Sequence, residues 1–174
     1  MTSTVRPGVP ADAEAVETVR ITSWKTAYRG ILASDLLDGL TVTEERVRWW
    51  TEAIGTGEVS VRVAETSGEV HGFCSYGASR DADISGAEIY AIYLLPARFS
   101  TGMGGRLMAE ALDDLRDRGE REVGLWVLED NARARRFYER CGFEPTGRRN
   151  LWRDEVPEVH YRLALTKVSP AGAR

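Results

Sequence analysis

The chain predicts an α+β fold, a mixed and mostly antiparallel sheet of about six or seven strands flanked by helices. Three observations carry that expectation. Short runs of β-branched and aromatic residues recur along the chain, separated by glycine-rich and polar turns. Between some of them the apolar residues repeat at helical spacing, most clearly at Leu107, Met108, Ala111, Leu112 and Leu115. The stretch Ile89 to Leu112, IYAIYLLPARFSTGMGGRLMAEAL, joins the two patterns: an apolar strand, a turn of small residues and then that helix.

In chain order, Thr4 to Arg6 reads as a first strand closed by Pro7. Pro10 to Trp24 carries Ala13, Val16, Val19 and Ile21 behind Asp12 and Glu14, acids that favour a helix N-terminus. Trp24, Tyr28 and Arg29-Gly30 interrupt that period. Ser34 to Leu40 is a short helical turn, and Thr41-x-x-Glu44 has the form of a capping box opening a helix to about Ile54. Along that helix Val47, Trp50 and Ile54 make one stripe, with Trp49 off it. Ser60 to Glu65 and Val70 to Tyr76 alternate as a hairpin about Thr66-Ser67-Gly68-Glu69, with His71 beside the turn as a surface residue.

Arg80 to Gly86 is a polar loop, and Ala87 to Leu94 is the next strand. Alternation puts Glu88, Tyr90, Ile92 and Leu94 on one of its faces and Ile89, Ala91, Tyr93 and Leu95 on the other. After the glycine turn and its helix, Gly124 to Leu128 reads as a buried strand and Ala132 to Arg140 as a helix closed by Gly142. Thr146 to Trp152 and Val159 to Leu165 are the last strands, with a loop from Arg153 to Pro157 between them. Residues 1–166 form one domain on this reading, and 167–174 a flexible tail.

Composition narrows the function classes. A chain of 174 residues with 43% hydrophobic content can bury one substantial core. A net charge of −4 and a pI near 5.3 argue against a nucleic-acid surface and favour a cationic substrate. No apolar run is long enough to span a bilayer and nothing like a signal peptide opens the chain, so a soluble cytoplasmic protein is expected. Cys74 and Cys141 sit in apolar surroundings, as reduced core thiols do. His71 has no second ligand at metal spacing, and no metal is expected.

The glycine turn carries the chemistry. A helix N-terminus leaves backbone N–H groups without carbonyl partners, and the helix dipole adds positive charge there, so a phosphate is the expected guest. Gly102, Gly104 and Gly105 allow positive φ and close approach of the ligand to the backbone. A Walker A loop is excluded, because Arg106 and Leu107 stand where lysine and a hydroxyl residue are needed. A Rossmann fingerprint lacks its third glycine, which falls on Leu107.

With the second block in view, the sequence resembles the GNAT superfamily of acyl-coenzyme A dependent N-acetyltransferases. The pyrophosphate loop Gln/Arg-x-x-Gly-x-Gly/Ala is matched at Gly102 and Gly104. Asn-x-x-Ala-x-x-Phe-Tyr-x-x-x-Gly-Phe is matched at Asn131, Ala134, Phe137, Tyr138, Gly142 and Phe143. The chain departs from the pattern at Phe99, where the family opens its loop with Gln or Arg.

The resemblance implies an enzyme with acetyl-coenzyme A as co-substrate. The strands carrying Glu88 and Leu125 would run parallel and splay, so that main-chain groups of Ile92, Tyr93 and Leu94 pair with pantetheine. Pyrophosphate would rest on Ser100, Thr101, Gly102, Met103, Gly104 and Gly105, and Asn131 would hold the pantetheine arm. Arg106, Arg133, Arg135 and Arg136 are candidates for the adenosine 3′-phosphate. Tyr138 would be the acid that protonates the leaving thiolate. Glu88 stands fourteen residues before Gly102, where several branches of the family keep their base.

His160 is the other cleft candidate, read as structural. Trp24, Tyr28 and Tyr90 would wall the acceptor, a small primary amine such as a polyamine, an amino acid analogue or an aminated antibiotic. The competing reading is a non-catalytic module that keeps the acyl-coenzyme A pocket for regulation. Whether the chain pairs as a homodimer is open at this point.

Overall fold

The computed structural model describes residues 3–153 and 155–165; the expected tail 167–174 lies outside them. Seven strands form one sheet: β1 (Thr4–Pro7), β2 (Ser60–Thr66), β3 (Glu69–Ala78), β4 (Ala87–Leu94), β5 (Glu122–Leu128), β6 (Glu144–Trp152) and β7 (Val156–Ala164). Their order is β1-β2-β3-β4-β5-β7-β6, antiparallel throughout except that β4 and β5 are parallel. The α+β expectation holds.

Helices cover both faces. Helix α1 (Ala13–Ala27) and α3 (Glu44–Thr56), with the short α2 (Ser34–Asp38) between them in sequence, lie on one side. Val16, Val19, Trp50 and Ala53 pack there on Val61, Val63 and Phe73. Helix α4 (Met103–Asp117) and α5 (Ala132–Arg140) lie on the other. The stripe read from the sequence of α4 is buried from Leu107 to Leu115. Replacing Leu107, which has no exposed surface, by alanine would cost about 2–5 kcal/mol.

β4 and β5 pair only at Ala87–Val123 and Glu88–Gly124. Beyond Glu88 they part. Because β7 then pairs with β5 along its whole length, the parting leaves a wedge in the middle of the sheet rather than at its edge.

Three local readings need correction. The alternation along β4 fails at Tyr90, where a bulge sets Tyr76 opposite Ile89 and Ser75 opposite Ala91. One extra residue reverses the faces beyond it. Tyr90, Ala91, Tyr93 and Leu95 therefore pack on the α1 and α3 side, and Ile89, Ile92 and Leu94 on the α4 side. The cap of α3 is Thr43, whose hydroxyl accepts the Arg46 N–H at 3.2 Å, not Thr41. His71 is buried at 4% exposure with Nε2 against the Thr66 hydroxyl: it is the extra residue of a bulge in β3, between Val70 opposite Glu65 and Gly72 opposite Ala64, and so leaves the alternation the hairpin suggests.

Candidate active site

The wedge opens into a cleft of about 1310 Å³ reaching from α1 and α3, across β4 and β5, to α4 and α5. At its α4 end is the glycine turn. Ser100 (φ 61°) and Gly102 (φ 82°) both take left-handed backbone, and Gly102 is the N-cap of α4 with no side-chain cap. The first intrahelical bond runs from Arg106 N to Gly102 O. The N–H groups of Met103, Gly104 and Gly105 therefore precede the helical ladder and are free to meet an anion. A Cβ on Gly104 would stand 3.3 Å from the Phe137 ring and 3.5 Å from Leu94, so the turn is packed close to α5 and β4.

Of the four arginines that were candidates for phosphate contact, two are committed elsewhere. Arg106 donates to the Ser3 carbonyl at 2.9 Å, and Arg135 to the Tyr161 hydroxyl and the Glu129 carbonyl. Arg133 and Arg136 line the cleft, as does Arg140. The Arg133 guanidinium lies 3.9 Å from the centre of the Phe99 ring. The residue that breaks the loop pattern thus holds a cation beside the loop from the next helix.

Helix α5 brings in Asn131 and Tyr138. Asn131 caps the helix, its side-chain oxygen accepting the Ala134 N–H at 3.1 Å, which leaves its amide NH₂ for the cleft. At the other end Gly142 N–H donates to Glu139 and Phe143 N–H to Tyr138, a Schellman closure that fixes the last turn. Phe143 and Phe137 pack edge-on against the Tyr138 ring. Tyr138 is buried at 8% exposure and lines the cleft. Burial pushes its phenol well above the ordinary tyrosine value, with the neighbouring Tyr93 adding to the shift. The phenol stays protonated at neutral pH.

Opposite, the α1 side of the cleft is aromatic. The Tyr28 and Tyr93 hydroxyls are 3.0 Å apart, and the Trp24 ring meets Tyr28, Tyr93 and Trp152 edge-on. Burial, then Tyr93, raises the Tyr28 phenol. Ser23 Oγ donates to the Leu94 carbonyl at 2.7 Å, so that main-chain acceptor, one expected to serve the cofactor, already holds one bond. Tyr90 is in the lining, its hydroxyl donating to the Ala78 carbonyl.

Glu88 is 5% exposed at the mouth of the wedge. Arg80 holds it twice: the guanidinium donates to Oε1 at 2.5 Å and the backbone N–H to Oε2 at 2.8 Å. The same guanidinium stacks over the Tyr90 ring at 4.2 Å. Glu158 of β7 is a second carboxylate in the lining. Burial holds its carboxyl above the usual range, the charge of Glu88 adds to this, and a hydrogen bond from Asn150 partly offsets it. His160 lies outside the lining, with Nδ1 on the Thr146 hydroxyl and its ring against Trp126.

Tyr138, Asn131, the glycine turn, Tyr90, Trp24, Tyr28 and Glu88 thus share one cavity. Sequence reasoning missed Arg20, Arg46, Arg80, Trp126, Trp152 and Glu158 in its wall. No local motif marks them. Among the described residues no cluster of three or more histidines, cysteines or acids is placed to hold a metal, and no helix is long and apolar enough to cross a membrane.

A parallel strand pair that parts, a glycine turn at an uncapped helix N-terminus and a buried phenol share this cleft, the arrangement expected of an acyl-coenzyme A dependent acetyltransferase. Residues 24–143 match the model of the Acetyltransferase (GNAT) family, and the chain belongs to that family. It is an acetyltransferase whose co-substrate is acetyl-coenzyme A. The Bacillus subtilis (strain 168) protein named Uncharacterized N-acetyltransferase YuaI is 33% identical over 130 residues, 74% of this chain and 73% of its own. The Mycobacterium tuberculosis (strain ATCC 25618 / H37Rv) protein named Probable N-acetyltransferase Rv2775 is 30% identical over 164 residues, 91% of this chain and 92% of its own. In fold, the chain resembles the PaiA N-acetyltransferase of Thermoplasma acidophilum solved with coenzyme A. That likeness has a TM-score of 0.70 at 20% identity, over 92% of this chain and 98% of the other.

Proposed function

We propose that the protein transfers the acetyl group of acetyl-coenzyme A to the primary amine of a small molecule, with Glu88 as base and Tyr138 as acid. The observation that carries this reading is Tyr138, a buried phenol clamped by the closure of α5 and facing the cleft where β4 and β5 part. A polyamine, an amino acid analogue or an aminated antibiotic fits the aromatic wall of Trp24, Tyr28 and Tyr90, with Glu88 and Glu158 to attract its charge. Reduced Cys74 and Cys141 suit a cytoplasmic setting.

The cofactor's diphosphate rests on the N–H groups from Ser100 to Gly105, with Arg133 alongside. Its pantetheine arm follows β4 through Ile92, Tyr93 and Leu94, and Asn131 steadies it from α5. An amine with a pKa of about 10 must lose a proton before attack. Each Glu88 oxygen accepts one bond from Arg80 and keeps a lone pair, so a water between Glu88 and the amine passes that proton. The new N–C bond forms as a β4 backbone N–H holds the oxyanion, a contribution of about 3 kcal/mol. The C–S bond then breaks, and the Tyr138 phenol protonates a thiolate whose own pKa is about 8.5.

The test is a thiol-release assay with acetyl-coenzyme A across a library of primary amines. Amine-dependent release supports the reading. Tight acetyl-coenzyme A binding with no turnover on any amine overturns it.

A further inference from the structure

The arginines of the cleft differ in how their charge is balanced. Arg80 faces Glu88 one to one, and Arg133 lies on Phe99 at the cofactor end. On the α1 and α3 side, Arg20 and Arg46 share one carboxylate, Glu17. Glu17 has no exposed surface: its oxygens accept from Arg20 Nε at 2.8 Å, Arg20 Nη2 at 2.5 Å and Trp50 Nε1 at 2.9 Å. Arg46 Nε is 3.7 Å from it, beyond hydrogen-bond reach, and that buried nitrogen has no hydrogen-bond partner.

Among the described residues Glu17 is the only acid ion-paired with either arginine. Two guanidinium groups therefore meet one anion, and a unit of positive charge is left in the wall of the cleft. Its position is set by packing: Arg46 stacks over Trp49 at 4.3 Å and Trp50 at 5.6 Å, and Arg20 over Trp24 at 5.1 Å. A guanidinium lying over a ring keeps N–H donors for an oxyanion, and the Arg46 side chain, 41% exposed, lines the cleft.

We infer that the acceptor carries an oxyanion, a carboxylate in the first instance, bound by Arg46 and Arg20 while its amine points toward the thioester. Glu17 is the positioning residue: it neutralises one arginine and fixes both. The acceptor is then an amino acid analogue rather than a polyamine. This inference rests on the proposed reading of the cleft as an amine acetylation site.

The experiment compares ω-amino acids of increasing chain length, the corresponding ω-aminoalkyl phosphonates and the amines that lack the anionic group. Each is measured by thiol release and by calorimetric titration into the coenzyme A-saturated protein. In at least one chain length the anionic acceptor is expected to exceed its plain amine by about ten-fold or more in kcat/KM and in affinity. Arg46→Gln should bring that ratio to about one. Arg46 is changed because loss of Arg20 would strip the buried Glu17 carboxylate of both its guanidinium hydrogen bonds.

A phosphonate preference over carboxylate keeps the subsite and names its guest. Plain amines handled as well as the anionic ones at every length, or a ratio that survives Arg46→Gln, overturn the inference while leaving the acetyltransfer intact. If no amine releases thiol, the proposed function fails, and the calorimetric ratio still decides whether the anion subsite exists.

Discussion

The two halves of the cleft are built on different principles. The half proposed for the cofactor is local: one turn and the first residues of α4, with α5 closing after nine residues, supply the N–H groups, Asn131 and Tyr138. The half proposed for the acceptor is assembled from far apart, with Arg20 and Trp24 from α1, Arg46 from α3, Tyr90 and Tyr93 from the bulged β4, and Trp126, Trp152 and Glu158 from the strands beyond the wedge. A guest common to many proteins can be held by main-chain geometry, which any sequence with glycines at the right places reproduces. A guest particular to one protein needs side chains, and those come together only when the sheet closes. The difference explains why the cofactor follows from the motif and the acceptor does not.

Changes in the two halves should therefore fail in different ways. The largest effect falls where they meet. Glu88→Gln keeps one of the two Arg80 bonds, puts an NH₂ donor where the other was accepted and removes the proton acceptor, and should lower kcat by about a hundred-fold with the affinity for acetyl-coenzyme A unchanged. An equal loss in cofactor binding would make Glu88 structural. Next is Gly102→Ala. The space around that position is empty, so the penalty lies in its φ of 82°; about 1–2 kcal/mol of strain should weaken acetyl-coenzyme A binding by about ten-fold. The amine KM should not move.

Phe99→Ala should weaken acetyl-coenzyme A binding by a few-fold, the worth of an exposed cation–π contact that holds Arg133 at the loop. Dephospho-coenzyme A as a second titrant shows which phosphate Arg133 serves. The smallest effect lies outside both halves. Burial, aided by Arg98, lowers the pKa of His71 from 6.5, so the folded state prefers its neutral form. Its contribution to stability is complete above about 6.5 and is lost as the pH falls toward the folded value. Melting curves between pH 7.5 and about 5 should show a shallower acid decline for His71→Gln than for the parent protein.

Much of the fold could be read ahead of the structure because its elements are locally consistent. The stripe of α4, the hairpin of β2 and β3, and the Gly142 stop of α5 each need only neighbouring residues. The Tyr90 bulge was illegible, since the period of a strand is known only from its partner, and Gly77 makes room for it where a Cβ would meet the Tyr90 hydroxyl at 2.5 Å. His71 escaped for a similar reason: a polar residue near a turn reads as exposed, and only the pairing with β2 shows that His71 is the bulged residue, buried beside Thr66. In the site, Tyr138 and the glycines carry a spacing. Arg20, Arg46 and Glu158 carry none, because their meaning depends on how α1, α3, β4 and β7 come together around Glu17 and Glu88.

The most direct test sets wild type beside Tyr138→Phe, measuring acetyl-coenzyme A affinity and amine-dependent thiol release on the same preparations. With the phenol as proton donor to the thiolate, affinity should stay within about two-fold while kcat falls by about a hundred-fold or more. Undiminished turnover in the phenylalanine variant, or a fall in affinity that accounts for the whole loss, would contradict a Tyr138 that joins the two halves chemically.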